Sequence, residues 1–233
     1  MKIALFGGTF DPVHYGHLRL AEEVREALGF ATVLFMPSAT PPHKAREEVT
    51  PVDVRLKMLR AAVASNPHFE VSDIEVVRQG EEGAYSYTVD TVKELMAAHA
   101  GTKGTEAQEL EISLIVGSDS FNEITTWCDY DTLLELVSFV VVARPGYAVK
   151  KIAEVLPVVL ARKFWYDSSI EGYRNEAGRT ITYLGNTLLD ISSTRIRDLI
   201  SVGMSVEYLL PPEVLKFIKE EGLYALASDA PAQ

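Results

Sequence analysis

The feature that most limits how this chain can fold is the alternation of short, unbroken apolar runs with stretches of helical spacing. Lys2–Phe6, Ala31–Met36, Ile112–Val116 and Phe139–Ala143 are brief apolar runs, closed respectively by Gly7-Gly8, Pro37, Gly117 and Arg144-Pro145-Gly146. Between them, His17–Leu28 places Leu18, Ala21, Val24 and Leu28 on one helical face and stops at Gly29, Val52–Ala64 does the same with Val54, Met58, Leu59 and Ala62, and Tyr87–Ala98 is helical again. A strand that is apolar throughout must be covered on both sides, and strands separated by helices pair in parallel. The expectation is an α/β protein built on a doubly wound parallel sheet with helices on both faces. A small helical portion is expected at about 192–224, within a single domain spanning 1–224. Phe69–Val77 alternates like a strand, Gly101–Gln108 reads as a polar loop, and Ala225–Gln233 as a flexible tail. Arg162–Arg179 has no clear period and reads as an excursion before a strand near Thr180–Leu184.

Charge narrows the function. A net charge of −11 argues against a nonspecific nucleic-acid or anionic-membrane binder, which needs a basic surface to displace counterions. Any polyanion must then be met by local cations on an acidic background. The lone Cys128 allows no intramolecular disulfide and no cysteine-rich metal cage. No apolar run approaches the roughly 18 residues of a membrane span, and the opening run has no leader pattern. The expectation is a soluble, cytoplasmic protein without nucleic-acid or membrane partners; a homo-oligomer remains open.

In parallel sheets ligands bind beyond the carboxyl ends of the strands, so the turns that follow strands carry the chemistry. The first is Gly7-Gly8-Thr9-Phe10-Asp11-Pro12-Val13-His14-Tyr15-Gly16-His17. Two glycines allow close approach of backbone to a ligand, and the helix beginning near His17 aims its N–H groups and positive dipole end at the turn. The segment is neither a G-x-G-x-x-G dinucleotide fingerprint nor a P-loop. Instead His14 and His17 flank Gly16, so that two imidazoles can donate to one cluster of phosphoryl oxygens. Capping or surface histidines are the alternative; two of them after a strand and a Gly-Gly turn favour the functional reading.

This segment resembles the signature of the nucleotidyltransferase superfamily and, within it, that of the bacterial nicotinate-mononucleotide adenylyltransferases. The superfamily's second signature is matched by Ile191-Ser192-Ser193-Thr194-Arg195-Ile196-Arg197, where Ser193 or Thr194 can cap a helix while backbone amides and Arg197 hold triphosphate oxygens. Three further stretches resemble this group of enzymes in particular: Pro41-Pro42-His43-Lys44, Ser86-Tyr87-Thr88-Val89-Asp90-Thr91, and Gly117-Ser118-Asp119 followed by Trp127. The likeness runs from Lys2 to about Tyr224 and departs at 101–108 and 162–179, which are longer than the pattern.

The resemblance implies a Rossmann-like fold and a reaction in which ATP and nicotinate mononucleotide give nicotinate adenine dinucleotide and pyrophosphate. It assigns catalysis to His14, His17, Lys44 and Arg197. ATP would meet Gly7, Gly8, Thr9, Phe10, His14, His17, Asp119, Ser192, Ser193, Thr194 and Arg197, with Asp119 on ribose hydroxyls. The acceptor, a pyridine mononucleotide, would meet Gly8, Thr9, Phe10, Lys44, Thr88, Trp127 and Arg144, with Trp127 stacked on the ring. Mg²⁺ is expected on the nucleotide phosphates, with no dedicated protein cage. Left open are a sibling transferase acting on nicotinamide mononucleotide or phosphopantetheine, and a non-enzymatic nucleotide-binding module on the same fold. A fragment of a class I aminoacyl-tRNA synthetase, which shares the two-histidine turn, is disfavoured by the acidic surface and the lack of a second basic loop.

Overall fold

A computed structural model describes residues 1–39, 49–82, 87–101, 110–143 and 149–225. Eight strands form one sheet in the order β3-β2-β1-β4-β5-β8-β7-β6. They are β1 (Lys2–Gly8), β2 (Thr32–Pro37), β3 (Phe69–Val71), β4 (Glu111–Gly117), β5 (Ser138–Val142), β6 (Phe164–Asp167), β7 (Gly172–Asn175) and β8 (Thr180–Leu184). From β3 through β8 in that order every pairing is parallel; β8 with β7 and β7 with β6 are antiparallel.

The two faces of the sheet are separated by the period-two alternation of strands. Ala4 and Phe6 of β1 and Val140 and Val142 of β5 pack with α1 (Tyr15–Leu28), α2 (Val52–Val63), α9 (Ser193–Ser201) and α10 (Pro212–Glu220). Ile3 and Leu5 of β1, Ile112, Leu114 and Val116 of β4, and Phe139 and Val141 of β5 pack on the other side. Their partners there are α4 (Thr88–Gly101), α5 (Ser118–Asn122), α6 (Tyr130–Leu136) and α7 (Ile152–Val155). The expected doubly wound α/β arrangement is therefore present, and the C-terminal helices join the core beside α1 and α2.

Two expectations are corrected. Strand character ends at Val71, and α3 (Ile74–Glu82) follows. Ser72 Oγ accepts the Ile74 N–H at 3.3 Å and Asp73 C=O accepts the Val77 N–H at 2.9 Å, so a Ser-Asp helix start overrides the alternation. Residues 162–179, read as an excursion without clear period, hold regular strands. After α8 (Val158–Ala161) they supply the antiparallel strands β6 and β7 that extend the sheet past β8.

The chain leaves β1 for β2 and β3 on one side and returns to β4 and β5 on the other. In open parallel sheets such a reversal is where ligands bind, and here it falls at the carboxyl ends of β1 and β4, where Gly7-Gly8 and Gly117 lie.

Candidate active site at the switch point

Past β1 the turn is shaped from inside by Phe10. Its ring is 1 % exposed and meets Phe6 at 5.6 Å and His17 at 5.0 Å, both edge-on, while its backbone takes φ 48. A Cβ on Gly8 would stand 3.0 Å from that ring, which is why glycine occupies the position. Phe10 is thus core, and only its backbone is available to a ligand.

His14 is the N-cap of α1, with φ −148 and ψ 170. Its C=O accepts the His17 N–H at 2.9 Å, and its own N–H donates to His17 Nδ1 at 3.3 Å. With Nδ1 used as an acceptor, the neutral His17 ring carries its proton on Nε2 and presents that nitrogen as a donor. The two rings stack with centroids 3.7 Å apart and 25° between planes; His14 is 5 % exposed. Gly16 permits this stacking, since a Cβ there would lie 3.0 Å from Cε1 and Nδ1 of His14 and 3.6 Å from the Ile191 C=O. Gly16→Ala is expected to displace the His14 ring and lower turnover about tenfold with the melting temperature nearly unchanged, read by steady-state kinetics beside thermal melting. The helix end is less open than expected, because the Tyr15 N–H donates to the Leu209 C=O at 3.1 Å.

Two guanidinium groups hold the turn from behind. Arg55 of α2, 1 % exposed, donates from Nη1 to Thr9 C=O (2.7 Å), from Nη2 to Ser38 C=O (2.8 Å) and from Nε to Thr50 C=O (2.8 Å). Burial pulls its pKa down and the nearby Asp11 carboxylate works against that pull. Arg197 of α9 donates from Nη1 to Asp11 C=O at 2.7 Å and from Nη2 to Thr194 Oγ1 at 3.3 Å. Beside it Ser193 Oγ donates to Pro12 C=O at 2.9 Å. The helix cap is Ser192 and not Ser193 or Thr194, for Ser192 Oγ accepts the Arg195 N–H at 3.2 Å. The two signature segments therefore meet directly. Tyr224 completes the bracing, its hydroxyl donating to Asp11 Oδ1 at 2.7 Å. Its pKa is raised well above the usual phenol range, chiefly by burial, so the group stays a neutral donor.

The remaining predicted residues lie toward the other face. Asp119 stands half-buried in the first turn of α5, directly after β4. Thr88 opens α4, half-buried, and Trp127 closes the 3-10 turn Ile124–Thr126 while packing partly on the second core. An ion pair of Lys93 Nζ with Asp129 Oδ2 at 3.2 Å ties α4 to the Trp127 loop. Lys44 and Arg144, with Pro41-Pro42-His43 and Ser86, lie outside the described residues.

The cytidylyltransferase-like family model matches residues 5–199, which include both signature segments. The chain belongs to the cytidylyltransferase-like family. Among relatives of this cytidylyltransferase-like protein, the probable nicotinate-nucleotide adenylyltransferases of Citrifermentans bemidjiense and Geobacter sp. (strain M21) are 42% and 43% identical over 224 residues. Each alignment spans 96% of this chain and 98% of the relative. The fold is also that of the Plasmodium falciparum nicotinic acid mononucleotide adenylyltransferase solved in complex with NaAD. That match has a TM-score of 0.68 over 96% of this chain and 97% of the other, at 15% identity.

Arg55 and Tyr224 were not legible as site residues. Arg55 looks like one more charge on an amphipathic helix, and Tyr224 stands 213 residues from the carboxylate it meets. Asp11 lies within the first signature, but its buried, doubly bonded carboxylate is visible only in three dimensions.

Proposed function

We propose that the protein transfers the adenylyl group of ATP to nicotinate mononucleotide, giving nicotinate adenine dinucleotide and pyrophosphate, a step of NAD biosynthesis. The observation that carries this reading is the pair of stacked imidazoles locked at the start of α1, in a turn whose Asp11 carbonyl is held by Arg197 from the second signature. The relatives' names support the same activity.

An oxygen of the acceptor's phosphate attacks the α-phosphorus of ATP in line, the bond from that phosphorus to the bridging oxygen breaks, and pyrophosphate leaves with the electron pair. A phosphate monoester is already largely ionised at neutral pH, so positioning and charge stabilisation do the work. His14 and His17 would donate to the α- and β-phosphate oxygens. The backbone of Gly7, Gly8, Thr9 and Phe10 would line the phosphates. Arg197 would present the rest of its fork, with Lys44, to the β- and γ-oxygens. Ser192, Ser193 and Thr194 would carry the helix start that flanks them, and Asp119 would take ribose hydroxyls. Thr88, Trp127 and Arg144 would receive the acceptor. Among the described residues no group of three His, Cys, Asp or Glu side chains could hold a metal ion. Mg²⁺ would arrive as part of the nucleotide, bound by phosphate and water, and would neutralise the triphosphate. No helix among the described residues is long and apolar enough to cross a membrane.

Pyrophosphate release, measured with ATP and a panel of nicotinate mononucleotide, nicotinamide mononucleotide and phosphopantetheine, tests the reading. The highest kcat/KM is expected with the nicotinate compound; no release with any acceptor would overturn it. Trp127→Ala is expected to raise KM for that acceptor about tenfold, the size of one lost ring stack, with KM for ATP little changed.

A further inference from the structure

The bracing of the histidine turn ends in a contact that neither signature contains. Asp11 is 1 % exposed, and both of its carboxylate oxygens are occupied: Oδ1 accepts the Tyr224 hydroxyl at 2.7 Å and Oδ2 accepts the Thr50 N–H at 3.2 Å. Its carbonyl is taken by Arg197. Thr50 in turn gives its carbonyl to Arg55, the side chain that also holds Thr9. One buried carboxylate thus joins the turn, the entry to α2 and the end of the C-terminal helix, three residues before His14. The chain beyond α10 is bent back to make this contact, with Gly222 at φ 61 and Tyr224 at φ 66, and the Leu223 N–H bonded to Ile218 C=O at 3.0 Å. A left-handed tyrosine is uncommon and persists only where its surroundings hold it.

We infer that Tyr224 is a positioning residue for adenylyl transfer, its hydroxyl acting through the Asp11 carboxylate to fix the turn that presents His14 and His17. The inference rests on the adenylyl-transfer reading above and adds a residue to it. The ring of Tyr224 packs beside the first core, so the hydroxyl and the ring have separable roles. Without the hydroxyl, Asp11 keeps a buried oxygen with a lost donor, and the carboxylate is free to swing and carry the turn with it. A shift of the turn by a fraction of an ångström misaims both imidazoles at the group in transfer, while the helices and strands around the turn stay in place.

The test is Tyr224→Phe in the full chain. The expected result is a fall in kcat of about tenfold, KM for ATP and for nicotinate mononucleotide within about twofold of wild type, and a melting temperature lower by no more than a few degrees. Asp11→Asn should lower kcat in the same way, and the double variant should fall no further than the worse single one, because both changes break one link. Imidazole NMR resonances give a readout independent of turnover: those of His14 and His17 should move in Tyr224→Phe while that of the distant His68 stays. A kcat within about twofold of wild type with unmoved His14 and His17 signals would overturn the inference, as would additive losses in the double variant or equal shifts at His68. An inactive wild type would instead count against the adenylyl-transfer reading, and the imidazole signals would still decide the role of Tyr224.

Discussion

His17→Ala is expected to lower kcat by about a hundredfold or more, the usual effect of deleting one preorganised donor to a developing charge. The loss should fall on kcat more than on KM, since the bond strengthens as charge builds on the phosphoryl oxygens. The architecture gives a reason to expect a clean result. His17 Nδ1 is engaged by the His14 N–H and its ring is held edge-on by Phe10 at 5.0 Å, so Nε2 is aimed before substrate arrives. Alanine at the third position of a helix costs little in folding, and the His14 N–H it releases lies at a partly open helix start. Stopped assays of pyrophosphate formation beside thermal melting check both halves. Turnover within about threefold of wild type in a folded variant would remove the turn from the mechanism.

Arg55→Leu has the largest expected effect on stability. The guanidinium satisfies carbonyls of Thr9, Ser38 and Thr50 from a position 1 % exposed, and leucine leaves all three in place without donors. Each orphaned carbonyl costs about 1–3 kcal/mol before relaxation, and partial rearrangement leaves a loss of about 3–5 kcal/mol. For a chain of this size that corresponds to a fall in melting temperature of about 10 °C. Arg55→Lys should recover only part of it, because one ammonium cannot reach three carbonyls with the geometry of a planar fork. A melting temperature within about 2 °C of wild type would show the three carbonyls to be satisfied by other means.

The parts of this molecule that could be read from residues alone are those whose physics is local. An apolar run closed by glycines, followed by helical spacing, identifies β1, the turn and α1 within a few residues, and short apolar runs closed by Gly or Pro locate β2, β4 and β5. Gly16 between His14 and His17 signals a tight approach even before the rings are seen to stack. Local rules compete at Phe69–Val77, where alternation continues across a Ser-Asp helix start, and the cap wins. They fall silent at β6, where Trp165 and Tyr166 are both exposed on an edge strand and no burial pattern marks the period. They say nothing of Arg55, Asp11 and Tyr224 as a unit, because each bond in that unit joins segments that only the finished fold brings together. The histidines were legible and their support was not.

The span between Asp11 and Tyr224 also bears on how the protein comes into being. The two are 213 positions apart, so at a synthesis rate of about 5–20 residues per second the nascent turn precedes its last brace by on the order of 10–40 s. Through that interval the ribosome carries a chain whose imidazoles exist but whose aim is unsecured. Competence for chemistry would then arrive late and all at once, timed by emergence of the final helix.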